Sequence, residues 1–186
     1  MRHLNTLMTF LLLSFAGQIF CQTLTVEIEQ KEGVYIIYPG QKPTFEYEYV
    51  KSIDAGAIIK NWRASTLVDK LLKRLKKEGI EADALVFTED DLYKADVVKF
   101  KGNKPDKVTV EIEQKQGVYL IYPGQQSTFE YEYVKTINAG AFIKNWRAST
   151  LVDKLLKVYK KEEIQADAII FTEDDLFKAD AIKLKK

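Results

Sequence analysis

Residues 25–102 and 109–186 align without a gap at an offset of 84, and 60 of the 78 aligned positions carry the same residue. A tandem duplication of this kind sets the folding problem at the scale of one small unit that the chain makes twice. The sequence divides accordingly into a leader (1–21), a first repeat (25–102), a short polar linker (103–108) and a second repeat (109–186).

The leader has a basic start, Arg2 and His3, followed by an apolar run from Leu7 to Phe15. That run is short of the roughly 20 apolar residues needed to span a bilayer, and it reads as a secretory signal. Cleavage fits after Ala16 or after Cys21. The later point leaves a chain starting at Gln22 with no cysteine, and it stands just before the repeat begins. The product is therefore expected to be secreted or periplasmic.

Composition removes several classes of function. The chain has 28 basic and 27 acidic residues, so it lacks the basic surplus of a nucleic-acid binder. The single histidine, His3, and the single cysteine, Cys21, both fall in the leader. Histidine catalysis, thiol chemistry, disulfides and Cys/His metal sites are then not expected, and neither is a cofactor. Each unit must be held by its own core or by its twin.

Within one unit, Val26 and Ile28 alternate with Glu27 and Glu29, the two-residue period of a strand with one wet face. Gly33–Tyr38 is almost wholly apolar, Pro39-Gly40 marks a turn, and Phe45, Tyr47 and Tyr49 alternate with Glu46 and Glu48. Three strands in succession predict an antiparallel meander with the aromatic side facing the core. From Ile58 to Leu75 the apolar positions fall at three- and four-residue spacing, predicting one long amphipathic helix with Asp54 or Asn138 as N-cap. The competing reading makes Ala57–Trp62 a strand and starts the helix at Thr66. Ala84–Phe87 and Asp96–Lys101 close the unit as strands, with a capped helical turn expected at Thr88–Asp91 between them. Gly79 fits a left-handed helix end, but Glu163 at the matching position argues that such an end is not obligatory. The fold expected is α+β: two tandem copies of a small antiparallel sheet, each covered by one helix, in the order β-β-β-α-β-β.

The candidate sites are surfaces. Lys70, Lys73, Arg74 and Lys77, repeated as Lys154, Lys157 and Lys161, form a basic row opposite the apolar stripe. The row could meet an anionic membrane or polysaccharide, although a solvated helix face, opposite a stripe needed to cover the sheet, accounts for it better. Glu27, Glu29, Glu46 and Glu48 are expected on the wet side of the sheet, giving each unit an acidic face opposite a basic one. Arg74-Leu75 becomes Val158-Tyr159 in the second copy, which widens its apolar stripe and suggests a contact between copies. Asp90, Asp91, Asp174 and Asp175 would line any cleft between the copies used for carboxylate catalysis. Phe45, Tyr47, Tyr49 and Trp62 would serve for stacking on sugars if they were not core. The sequence thus points to a non-enzymatic protein that offers duplicated surfaces to an extracellular protein, to a polysaccharide or to itself, with a carboxylate enzyme as the rival.

Overall fold

The computed structural model describes residues 23–56, 63–140 and 147–185. The leader with Cys21, and the question of helix or strand at Ala57–Trp62, lie outside the described residues. The first half runs β1 (Leu24–Ile28), β2 (Gln30–Lys31), β3 (Val34–Ile37), β4 (Gln41–Pro43), β5 (Tyr47–Asp54), α1 (Ala64–Glu78), β6 (Ala84–Phe87) and β7 (Lys94–Phe100). The second half runs β8 (Thr109–Ile112), β9 (Gln114–Lys115), β10 (Val118–Ile121), β11 (Gln125–Ser127), β12 (Tyr131–Asn138), α2 (Ala148–Lys161), β13 (Ala168–Phe171) and β14 (Lys178–Leu184). Among the described residues the fold is α+β, mostly sheet, with two helices.

The strands form three sheets. Each half builds a five-stranded sheet, in the orders β2-β3-β6-β7-β5 and β9-β10-β13-β14-β12. These sheets are mixed, because β3 runs parallel to β6 and β10 parallel to β13. The antiparallel meander of the first three strands is corrected on this point: β3 and β5 do not pair, because β6 and β7, which follow the helix in the chain, stand between them in the sheet. The first strand of each unit also leaves its own sheet. β1 and β8 pair with each other, flanked by β11 and β4, in a four-stranded sheet built from both halves. Its register is self-matching, with Val26 opposite Val110 and Leu24 opposite Ile112, while β1 takes β11 of the other half and β8 takes β4. The register of this sheet maps onto itself when the halves are exchanged, which defines an approximate two-fold axis.

Alternation explains why the shared sheet forms. Leu24, Val26 and Ile28 are buried while Thr25 and Glu27 are half-exposed, so β1 has one dry face that needs a cover. That face packs with Val110 and Ile112 on Tyr35, Ile37, Ala84 and Val98 of one flanking sheet and on Tyr119, Ile121, Ala168 and Ile182 of the other. The opposite face of the flanking sheets is covered by the helices. Leu67, Val68, Leu71, Leu72 and Leu75 fill one core with Ile36, Leu85, Phe87 and Val97, and this core continues into the second half without a break. Val108, assigned to the linker by the sequence, is buried in the first of these cores.

The helices start later than the long reading places them. Arg63 and Arg147 are the extended residues preceding Ala64 and Ala148, and neither helix has a side-chain cap of its own. Asp54 and Asn138 instead accept the amides of Gly56 and Gly140 in tight turns after β5 and β12. A short side-chain acceptor serves a turn as readily as a helix start, so composition could not separate the two. Thr88–Leu92 is a turn with no helix after it. Leu92 is left-handed (φ 57°) and buried, the Leu92 amide closes on the Glu89 carbonyl at 3.0 Å, and the chain passes directly into β7.

The helix ends correct another expectation. Gly79 has φ 64° and Glu163 has φ 50°, and in both halves the next residue's amide (Ile80 or Ile164) returns to a carbonyl five residues back, at 3.0 and 3.1 Å. The left-handed residue is therefore retained in the second half despite its side chain. A Cβ at Gly79 would meet no atom within 4 Å, so the cost at Glu163 is conformational, roughly 1–2 kcal/mol. Glu163→Gly is expected to stabilise the chain by about 1 kcal/mol, and a calorimetric scan should show the melting temperature rise by about 2–4 °C.

Candidate functional site

The junction between the halves accounts for most of the residues that suggested chemistry. Tyr38 and Tyr122 stack at 4.3 Å and 5° across the two-fold axis, with Phe87 and Phe171 stacked on their outer faces. Burial pushes both phenols well above their ordinary range, so they stay protonated. Beside them the two side-chain amides of Gln41 and Gln125 exchange hydrogen bonds, at 2.9 and 2.8 Å, and each oxygen also accepts a backbone amide, from Tyr38 or Tyr122.

The aspartates meet this junction as clamps. Ser65, in the first turn of α1, donates to Asp175, with Arg63 at 3.3 Å; Ser149, in the first turn of α2, donates to Asp91, with Arg147 at 3.5 Å. Lys31 reaches Asp174 at 3.6 Å and Lys115 reaches Asp90 at 2.6 Å. Asp91 and Asp175 thus do sit at a helix N-terminus, as their composition suggested, but it is the helix of the other half. Two hollows of about 250 and 200 Å³ open between the halves, the first lined by Lys31, Tyr38, Ser65 and Asp174, the second by Asp90, Lys115 and Tyr122. All four aspartates are engaged by a hydroxyl or a cation from the opposite half. Among the described residues no three histidine, cysteine, aspartate or glutamate side chains group as metal ligands.

The basic row stands on the wet side of the helices. Lys73, Lys77, Lys157 and Lys161 are exposed, Lys70 and Lys154 half-buried. Arg74 is held by Glu78 at 2.6 Å and by the carboxylate and the carbonyl of Asp54, both at 2.9 Å. Its hydrogen bond, joined by one from Lys51, keeps the Glu78 carboxyl below the usual glutamate range. The apolar stripe of each helix is already spent on the core, which leaves no face to insert into lipid. Among the described residues no helix is long and apolar enough to cross a membrane.

Val158 and Tyr159 sit elsewhere than at the axis. Val158 lines a shallow hollow with Lys135–Gly140 and Glu162, and the Tyr159 hydroxyl donates to the Ala166 carbonyl at 2.5 Å, both inside the second half. Of the glutamates, Glu27 takes Lys107 at 2.8 Å and Glu29 accepts from Gln126 at 2.5 Å. Glu48 pairs in register with Lys99, and the Lys101 amide bonds to the Glu46 carbonyl. Val97, on the same side of the sheet as Lys99, packs in the helix-side core, so Glu46 and Glu48 share that side. An acidic sheet face opposite a basic helix face is not what this register builds.

The surface left over is the one the alternation assigned to the core. Tyr47 is 39% exposed, Tyr49 61% and Val50 40%, and in the second half Tyr131, Tyr133 and Val134 are 40%, 61% and 39% exposed. Tyr47 and Tyr49 pair with Phe100 and Val98, so they do point to the side of the shared sheet. That sheet is only four strands wide and does not reach the margin where β5 and β12 lie. Phe45 is half-buried, packing edge-on against Phe100 at 4.6 Å and against Tyr47 at 6.1 Å. β5 and β12 are outermost in their sheets, so among the described residues one side of each backbone has no strand partner. A sequence pattern reports which side chains share a face, and it cannot report how far the cover extends.

No protein-family model, curated protein or solved structure matches the chain. Function therefore rests on these surfaces. The rings of Phe45 and Tyr47 meet at 65°, as do those of Phe129 and Tyr131. These two rings present no common plane for a sugar, and Trp62 lies outside the described residues; an outermost strand with bare apolar side chains suits the addition of an extended polypeptide.

Proposed function

We propose that this is a secreted, non-enzymatic protein, made of two tandem α+β copies, that binds extended polypeptide at two equivalent strand edges. The observation that carries the proposal is the pair of edges, Tyr47–Lys51 and Tyr131–Lys135, which among the described residues have no strand partner on their outer side and bear the large apolar side chains that stay exposed. Main-chain hydrogen bonds along the edge would supply affinity, and Tyr49 and Val50 would supply contact area. Duplication adds avidity, because a partner with two strands engages the second edge at high effective concentration. A catalytic reading loses its candidates, since the aspartates at the junction are tied to the opposite half.

The test uses the immobilised full chain and the medium of the cells that make it. Wild type is expected to retain a polypeptide that the Tyr49→Asp/Tyr133→Asp chain does not, both chains being checked for the same far-ultraviolet dichroism. Equal retention by the two, or retention by neither, would overturn the edges as the site that takes a polypeptide from the medium.

A further inference from the structure

We infer that the polypeptide each edge accepts is the same edge of a second copy of the chain, so that the protein assembles with itself into open-ended chains. This rests on the reading of the edges as strand acceptors and names their occupant.

The argument begins with a bulge. The register of β5 on β7 slips between Tyr49 and Lys51, leaving Val50 without a partner, and β12 on β14 slips at Val134 in the same way. An extra residue reverses the alternation beyond it. Glu48, opposite Lys99, and Lys51, opposite Val97, are therefore on one side of the sheet, where simple alternation would separate them. Tyr49, opposite Val98, is on the other side.

Two such edges brought together antiparallel are complementary. With Tyr49 of one copy opposite Val50 of the next, Glu48 falls opposite Lys51 and Lys51 opposite Glu48. The two ion pairs share a side, and the two tyrosine–valine contacts lie between them. The edge of the second half has the same five residues, Tyr131-Glu132-Tyr133-Val134-Lys135, so β5 of one copy can take β5 or β12 of the next. Lys51 is already drawn to Glu78 at 3.1 Å and Lys135 to Glu162 at 2.6 Å. These contacts use one of three ammonium donors and fix the lysine near the edge with donors to spare.

Valency decides the form of the assembly. Each chain carries two equivalent edges at the far margins of two separate sheets, so a contact at one leaves the other open and growth does not stop at a dimer. The bulge confines each contact to a short stretch, so single contacts are weak and assembly is reversible and dependent on concentration.

Sedimentation of the full chain from low micromolar to millimolar concentration tests this. The weight-average mass is expected to rise smoothly past that of a dimer. The charge-reversed chains Glu48→Lys/Glu132→Lys and Lys51→Glu/Lys135→Glu should each need at least about tenfold more protein to assemble, and an equimolar mixture of the two should recover the wild-type curve. If a reversed chain fails to fold, Val50→Lys/Val134→Lys, at already exposed positions, should stay monomeric in its place. A wild type that is monomeric throughout overturns the second copy as occupant, and a mixture that does not recover overturns the register. A monomeric wild type that still retains a partner from the medium leaves edge binding standing. Failure in both experiments removes edge binding as well.

Discussion

A single repeat, residues 23–102, expressed alone is expected to behave as a dimer of about the size of the full chain and to unfold on dilution. The reason is the self-matching register of the shared sheet. Val26 sits opposite Val110, its own counterpart in the other half, and Leu24 sits opposite Ile112, the counterpart of Ile28. The same holds for the stacked Tyr38 and Tyr122 and for the reciprocal amides of Gln41 and Gln125. A second copy of the first repeat can therefore take the place of the second half with little change of side chain. Without it, Leu24, Val26 and Ile28 lose their neighbours, and Ser65 loses the Asp175 that sits beside the first turn of α1. An obligate dimer of this kind has a stability that depends on protomer concentration. Analytical ultracentrifugation, with circular dichroism over a dilution series, reads both properties. A single repeat that stays folded as a monomer at nanomolar concentration would show that the unit supports itself.

The second large effect comes from the helix-side core. Leu71 is fully buried, and the cluster it belongs to runs from α1 through Tyr38 and Tyr122 to Leu151 and Leu155 of α2. Leu71→Ala is expected to cost about 3 kcal/mol, within the usual range for a leucine truncated in a close-packed core. For a chain of this length that lowers the melting temperature by roughly 6–12 °C. Because the core is continuous across the halves, the loss should appear as one transition moved as a whole. Two transitions, one of them still at the wild-type temperature, would show that the halves melt independently. Leu155→Ala should reproduce the result from the other side.

Much of this was legible in the sequence, because local alternation and helical spacing are properties of neighbouring residues. The strands around Val26, Ile36, Leu85 and Val97, and the leucine stripe of α1, stand where their periods put them. The turn at Asp54–Gly56 and the left-handed Glu163 were harder to read, since a side-chain acceptor or an ordinary residue is compatible with more than one backbone. The candidate site was the least legible part. Tyr47 and Tyr49 have the alternation of core residues, and they are exposed only because the shared sheet ends before it reaches them.

By itself the sequence determined that one unit is made twice, which side of each strand and helix is dry, and that no histidine or thiol chemistry falls within the repeats. The tertiary structure alone decided which strand pairs with which. Since β1 and β8 carry nearly the same residues, each presents the same dry face and the same hydrogen-bonding edge to its own sheet and to its twin. Local physics is indifferent between those partners. The choice is made by what the whole chain can cover at once, and that choice buries the first strands at the centre and leaves β5 and β12 bare at the margins.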